Sequence, residues 1–170
     1  GSEMCIRDRN QPAEGTPYYD GVLRTYKMLR VMESVRATEG NEGVFALYWE
    51  LGARIHHDKD REFDIADALE AAGLPAMHAE AFEDERFDTE IRSRHDAGLA
   101  LTGDDVGTPI IAMDTPGGRQ GIFGPVITAV PNSEDSLRLW DGMVAMMSVD
   151  GFWELKRTRT RRPEFPARPA

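Results

Sequence analysis

The sequence predicts a mixed α/β chain: an all-helical block over residues 17–103, then a β-hairpin and a closing helix, which as a truncated fold is α+β. Three observations predict it. Apolar residues recur at helical spacing as far as Thr102, and at Asp104 the period changes from helical to strand-like. Beyond that point, Pro109–Met113 and Gly121–Val130 flank Asp114-Thr115-Pro116-Gly117-Gly118-Arg119-Gln120, which is turn chemistry.

Residues 1–9 do not read like the rest. Gly1-Ser2 looks like a cloning remnant, and Met4-Cys5-Ile6-Arg7-Asp8-Arg9 resembles translated sequencing adapter. They are read as a non-native leader and kept out of the fold argument. Regular structure is expected after Thr16-Pro17, an N-cap followed by a proline at the first helical position. Val22, Leu23, Tyr26, Leu29, Val31, Met32 and Val35 then recur at helical spacing until Gly40 stops them. A second helix is expected from about Asn41, with Phe45, Tyr48, Leu51 and Ile55 on one side and Leu47 and Trp49 partly off it. Asp64 caps a short helix over Ile65–Ala72, closed by Gly73-Leu74-Pro75. Pro75 opens another through Phe82. Asp88 caps the next, in which Ile91, His95, Gly98, Leu99 and Thr102 share a face. After the hairpin, Pro131-Asn132-Ser133-Glu134-Asp135 supplies an N-cap with acids in the first turn. The final helix carries Leu137, Trp140, Val144 and Met147, and Phe152-Trp153-Glu154-Leu155 forms a last segment.

Two strands cannot shelter this much apolar surface. Ile110-Ile111 and Ile122-Phe123 are adjacent apolar pairs, so both faces of the hairpin need covering, and an isolated hairpin is marginal in water. The chain reads as half a sheet, completed by further strands or by a second copy.

Length and charge narrow the function classes. With 170 residues the chain fits one domain, or one domain carrying an insertion. A net charge of −10 argues against a nucleic-acid groove or an anionic membrane surface. Lys156, Arg157, Arg159, Arg161, Arg162 and Arg168 against Glu164 make residues 158–170, with the two before them, a basic tail on an acidic body. No apolar run has the ~18 residues of a membrane helix. The single cysteine, Cys5, excludes an internal disulfide framework. A cytoplasmic compartment is expected.

Few side chains suggest chemistry by themselves. His56-His57-Asp58-x-Asp60 lacks a further ligand, and adjacent helical residues face different ways, so no metal site is expected. Ser93, His95 and Asp96 have the wrong spacing for a triad on a helix, and His95 reads as a core histidine. Gly117-Gly118 is a turn rather than a phosphate loop, because no helix starts there. The stretch with most to say is Asp104-Asp105-Val106-Gly107-Thr108-Pro109-Ile110. Its Thr-Pro bond at the mouth of a strand is an ordinary strand entry, or a cis-proline that presents neighbouring backbone groups to a ligand.

Taken in order, several stretches carry a resemblance. They are Leu47-Tyr48 with Leu51-Gly52-x-Arg54-Ile55-His56, Ala72-Gly73-Leu74-Pro75, His95-x-Ala97-Gly98, and Gly103-Asp104-Asp105-Val106-Gly107-Thr108-Pro109. Phe123-Gly124-Pro125-Val126, Leu139-Trp140-Asp141 and Phe152-x-Glu154-Leu155-Lys156-Arg157-Thr158-Arg159-Thr160 follow. Together they resemble DsbA-like thioredoxin-fold proteins, and more narrowly the mycothiol-dependent (nitro)reductases, over roughly residues 10–165.

The resemblance implies a partial thioredoxin fold: a helical insertion over residues 10–103, and residues 104–157 as the C-terminal half with a cis-proline hairpin. It implies a thiol-binding loop of Val106, Gly107, Thr108 and Pro109, with Asn10 and Tyr18 or Tyr19 lining the site. It also implies a low-molecular-weight thiol, mycothiol or another, as co-substrate, with no bound cofactor. The expected partner is a small thiol, disulfide or electrophile; a homodimer through the uncovered strand edge is the other association considered. The family's strand, Cys-Pro-Trp-Cys-type helix and second strand are missing, so the chain is expected to be a fragment without its catalytic cysteines. Two alternatives stand beside this: a glutathione-linked isomerase of the kappa-transferase type, which need not keep both cysteines, and a non-catalytic thioredoxin-like interaction module.

Overall fold

The structure, a computed structural model, describes residues 15–158, 160–165 and 168. Its elements in chain order are helix α1 (Pro17–Gly52), a π-helical stretch (Ala53–Asp58), helix α2 (Ile65–Ala71), 3-10 stretches (Ala76–Glu83 and Glu85–Phe87) and helix α3 (Asp88–Thr102). Strands β1 (Ile110–Thr115) and β2 (Gly118–Phe123) and helix α4 (Ser133–Met147) complete it. The mixed α/β character and the two-stranded antiparallel sheet are consistent with the expected partial thioredoxin-like fold. The chain forms two compact units, divided between His95 and Asp96 within α3, with Phe165 and Arg168 belonging to the first.

The first unit is built on α1. The Thr16 hydroxyl accepts from the Tyr19 N–H at 3.2 Å, and Pro17 sits where its missing N–H costs nothing. Gly40 stops the first helical run as expected: at φ 67° and ψ −160° it adopts a conformation nearly closed to other residues, and a second helical run begins behind it within α1. That break sets which face of 41–52 turns inward. Gly43, Leu47 and Leu51 are buried at four-residue spacing, and Leu47 is wholly inaccessible. Phe45, Tyr48 and Trp49 face out at 69, 65 and 57% exposure, which corrects the expected apolar side of Phe45 and Tyr48. Leu47, expected to lie off the face, is its centre. The core gathers Met28, Val31, Val35, Leu47, Leu51, Phe63, Ile65, Ala68 and Leu69.

Polar groups fasten the short elements to α1. The Asp64 carboxylate accepts from the Ala66 N–H at 2.7 Å and caps α2. Asp88 was expected to cap α3, but it lies in helical conformation, and its carboxylate instead accepts from Arg30 Nε and Nη2 at 2.6 and 2.9 Å. The local cap is Asp84, which accepts from the Arg86 N–H at 3.0 Å. Arg30 is almost fully buried, and the Asp88 hydrogen bonds raise its pKa further, more than burial lowers it. The stretch after Pro75 is a 3-10 helix rather than an α-helix.

The second unit holds the hairpin. Its register pairs Ile110 with Phe123, Ile111 with Ile122, and Thr115 with Gly118, leaving Pro116-Gly117 as a two-residue turn. β2 thus starts at Gly118 and stops at Phe123, correcting the expected Gly121–Val130; Gly124-Pro125 follows, its bond cis, and proline has no N–H for a ladder. One face of the hairpin meets the end of α3. A Cβ on Gly121 would stand 2.6 Å from Leu101 Cβ, and one on Gly98 would touch the Ile110 side chain. Helix α4 is capped by Asn132, whose side chain accepts from the Asp135 N–H at 2.9 Å. Its buried residues are Met143 and Met147; Leu137 and Trp140, expected on the packed side, are exposed.

Candidate functional site

The Val106–Pro109 loop bridges the end of α3 and the start of β1. Gly103 leaves the helix at φ 84°, a left-handed exit that glycine makes without cost. Gly107 passes close to the Phe123 ring, where an added Cβ would lie 3.8 Å from Cε2. The Thr108–Pro109 bond is cis, and the Pro109 carbonyl accepts from the Gly124 N–H at 2.8 Å. Pro109 is thereby tied to the strand partner while Thr108, just ahead of it, stands at the surface. Val106 and Gly107 are half-buried. Among the described residues Thr108 has no hydrogen-bond partner for its N–H or C=O. An exposed backbone with both groups open can receive another amide chain as a strand edge does.

A broad groove of about 1630 Å³ opens beside the loop, entirely within the second unit. Val106, Gly107, Ile122 and Phe123 give it an apolar floor, and Arg119 and Lys156 add cationic groups. The arrangement offers a bound molecule an amide edge, an apolar wall and polar rims. Thiol–disulfide exchange needs, besides such a holder, a thiolate to attack the disulfide sulfur. Cys5, the single cysteine, lies outside the described residues, as does Asn10.

Of the other sequence-predicted residues, Tyr18 and Tyr19 belong to the first unit, in the opening turn of α1; Tyr18 is exposed and Tyr19 half-buried. His95 is half-buried on the same helix as buried Ile91. His56 and His57 lie in the π-helical stretch, and among the described residues no group of three or more His, Cys, Asp or Glu side chains could hold a metal ion. Nor is any helix among them long and apolar enough to cross a membrane.

Sequence reasoning passed over His78. It is buried, with Ser34 Oγ 2.9 Å from Nδ1 and Thr38 Oγ1 3.3 Å from Nε2. Both ring nitrogens are occupied by hydroxyls of α1, so the imidazole staples a 3-10 stretch to the long helix. Only the spacing of Ser34 and Thr38, four residues apart on one helix face, signalled it.

A hairpin flanked by a helix on either side in sequence is consistent with the closing half of a thioredoxin-like fold. The model of the Rv2466c-like family, described as Mycothiol-dependent nitroreductase Rv2466c, matches residues 7–157. The chain belongs to that family. The match opens at residue 7, inside the stretch that reads as a leader.

Proposed function

We propose that the chain is the thiol-binding part of a DsbA-like, mycothiol-linked thiol–disulfide oxidoreductase that reduces disulfides or small electrophilic and nitro compounds. One observation carries the reading: the exposed Thr108 backbone, without a partner among the described residues, ahead of a proline tied into the hairpin. In this reading the Thr108 N–H and C=O pair with the amide of a low-molecular-weight thiol, and Val106, Gly107 and Pro109 shape the wall beside it. Asn10, Tyr18 and Tyr19 enter on the family resemblance alone. The attacking thiolate comes from a Cys-x-x-Cys segment outside this chain. There a helix N-terminus favours the thiolate, which displaces one sulfur of the disulfide and leaves a mixed disulfide and a free thiol. The reaction belongs in a reducing compartment, the cytoplasm.

Titrating the Cys5→Ser chain with mycothiol, read by amide NMR, tests this. Shifts confined to Val106, Gly107, Thr108 and Ile110 are expected, with no dithiol turnover until a Cys-x-x-Cys segment is joined upstream. A loop that does not respond removes the binding role. Turnover by the Cys5→Ser chain alone removes the need for outside cysteines.

A further inference from the structure

Two residues of the basic tail, Phe165 and Arg168, are seated in the first unit. Phe165 stacks on the His56 ring with centroids 4.6 Å apart and planes 10° from parallel, and it meets His57 edge-on at 6.1 Å. Lys59 Nζ stands 5.4 Å from the same ring. Three residues on, Arg168 donates from Nη1 to the Asp58 carboxylate at 3.0 Å and from Nη2 to Glu50. Glu50 is buried at the end of α1 and also accepts from Arg54 at 2.7 Å. The seat is thus an aromatic slot of two imidazoles and an ammonium, beside a pair of carboxylates. It is formed by the π-helical stretch Ala53–Asp58 and its flanks.

From this geometry we propose that Phe165 and Arg168 form a strap that fastens, in cis, the π-helical stretch following α1. The two contacts are of different kinds and reinforce each other. Stacking and cation–π contact fix the ring, and the planar guanidinium spans two carboxylates as a lysine cannot. Charge favours the seating as well, since the tail is basic on a chain of net charge −10. Phe165 and Arg168 lie beyond residues 7–157, the stretch that the family model matches. π-helical turns are rare, and this one follows directly on α1, so the end of that helix is where an external fastening matters. The strap is releasable. Arg168 is partly exposed, and raising ionic strength toward 1 M shortens the screening length to ~3 Å, weakening the guanidinium half while the ring half persists.

Hydrogen exchange on the full chain provides the test. Phe165→Ala and Arg168→Gln should each speed exchange at residues 53–60 by roughly tenfold while leaving the amides of α2 unchanged. Arg168→Lys should recover little of the loss. Adding a synthetic peptide of residues 160–170 to either variant should restore protection, and the same peptide carrying Phe165→Ala should not. Unchanged exchange at 53–60 in both variants overturns the strap. Exchange that rises equally throughout α1 and α2 shows general destabilisation and overturns it too. Protection in the parent chain that fades on dilution overturns the cis seating in favour of tail exchange between copies.

Discussion

Arg30 shows how much a single side chain does in the first unit. Its guanidinium leaves α1, crosses to Asp88 with two hydrogen bonds and ends with only 5% of its surface exposed. Such a group is tolerated because its fork is satisfied, and removing the fork leaves a carboxylate facing a buried apolar stem. Asp88 keeps about a third of its side-chain surface, so water takes over part of the lost interaction. Arg30→Gln should therefore cost about 2 kcal/mol, at the lower end of what broken charge-assisted pairs show; urea denaturation measures it. Neither partner announced the other in the sequence. Asp88 stands before an apolar-periodic run and has the form of a cap, a local role. The residue it meets is 58 positions away. Local patterns record local partners, and Asp64, Thr16 and Asn132, which cap as expected, are the contrary cases.

Among the elements, helices were more legible than their faces. The Gly40 break was visible as a stop, but its φ of 67° redirects the chain and so decides which side of 41–52 is buried, and no periodicity count includes that rotation. The hairpin was legible from its turn residues, whereas its far boundary was not. Gly121-Ile122-Phe123 and Val126-Ile127 read as one apolar run, and the proline between them ends the ladder. The site loop was found because Gly107, Thr108 and Pro109 form a sequence signal. The groove beside it was not, being assembled from segments that run from Ala100 to Arg161. Packing of α3 on the sheet depends on a second glycine. Gly121→Ala would drive its methyl to 2.6 Å from Leu101 Cβ, an atom fixed to the helix backbone. A loss of about 1–3 kcal/mol is expected from such overpacking, visible as a lower melting midpoint with helical content retained.

For the whole molecule, the two-stranded sheet is the governing fact. A hairpin has two edges and two faces, and this unit leaves Val130 and Trp153 85 and 88% exposed together with Leu137, Trp140 and Leu155. Apolar surface on that scale favours contact with something apolar, while a net charge of −10 opposes close approach of copies. Self-association should accordingly strengthen with both concentration and salt. Sedimentation equilibrium checks this: a mass that stays at 19.0 kDa across both variables would show that the uncovered edge does not pair with a second copy.

The same outward-facing side chains decide how the protein can be watched. Its three tryptophans are Trp49, Trp140 and Trp153, all more than half exposed. Intrinsic fluorescence therefore starts from indoles already in water, and collisional quenchers reach them in the folded state. Emission reports what lands on the surface and is nearly blind to the loss of the Leu47 core. Circular dichroism is the observable for unfolding, and the indoles serve as built-in reporters of whatever covers them.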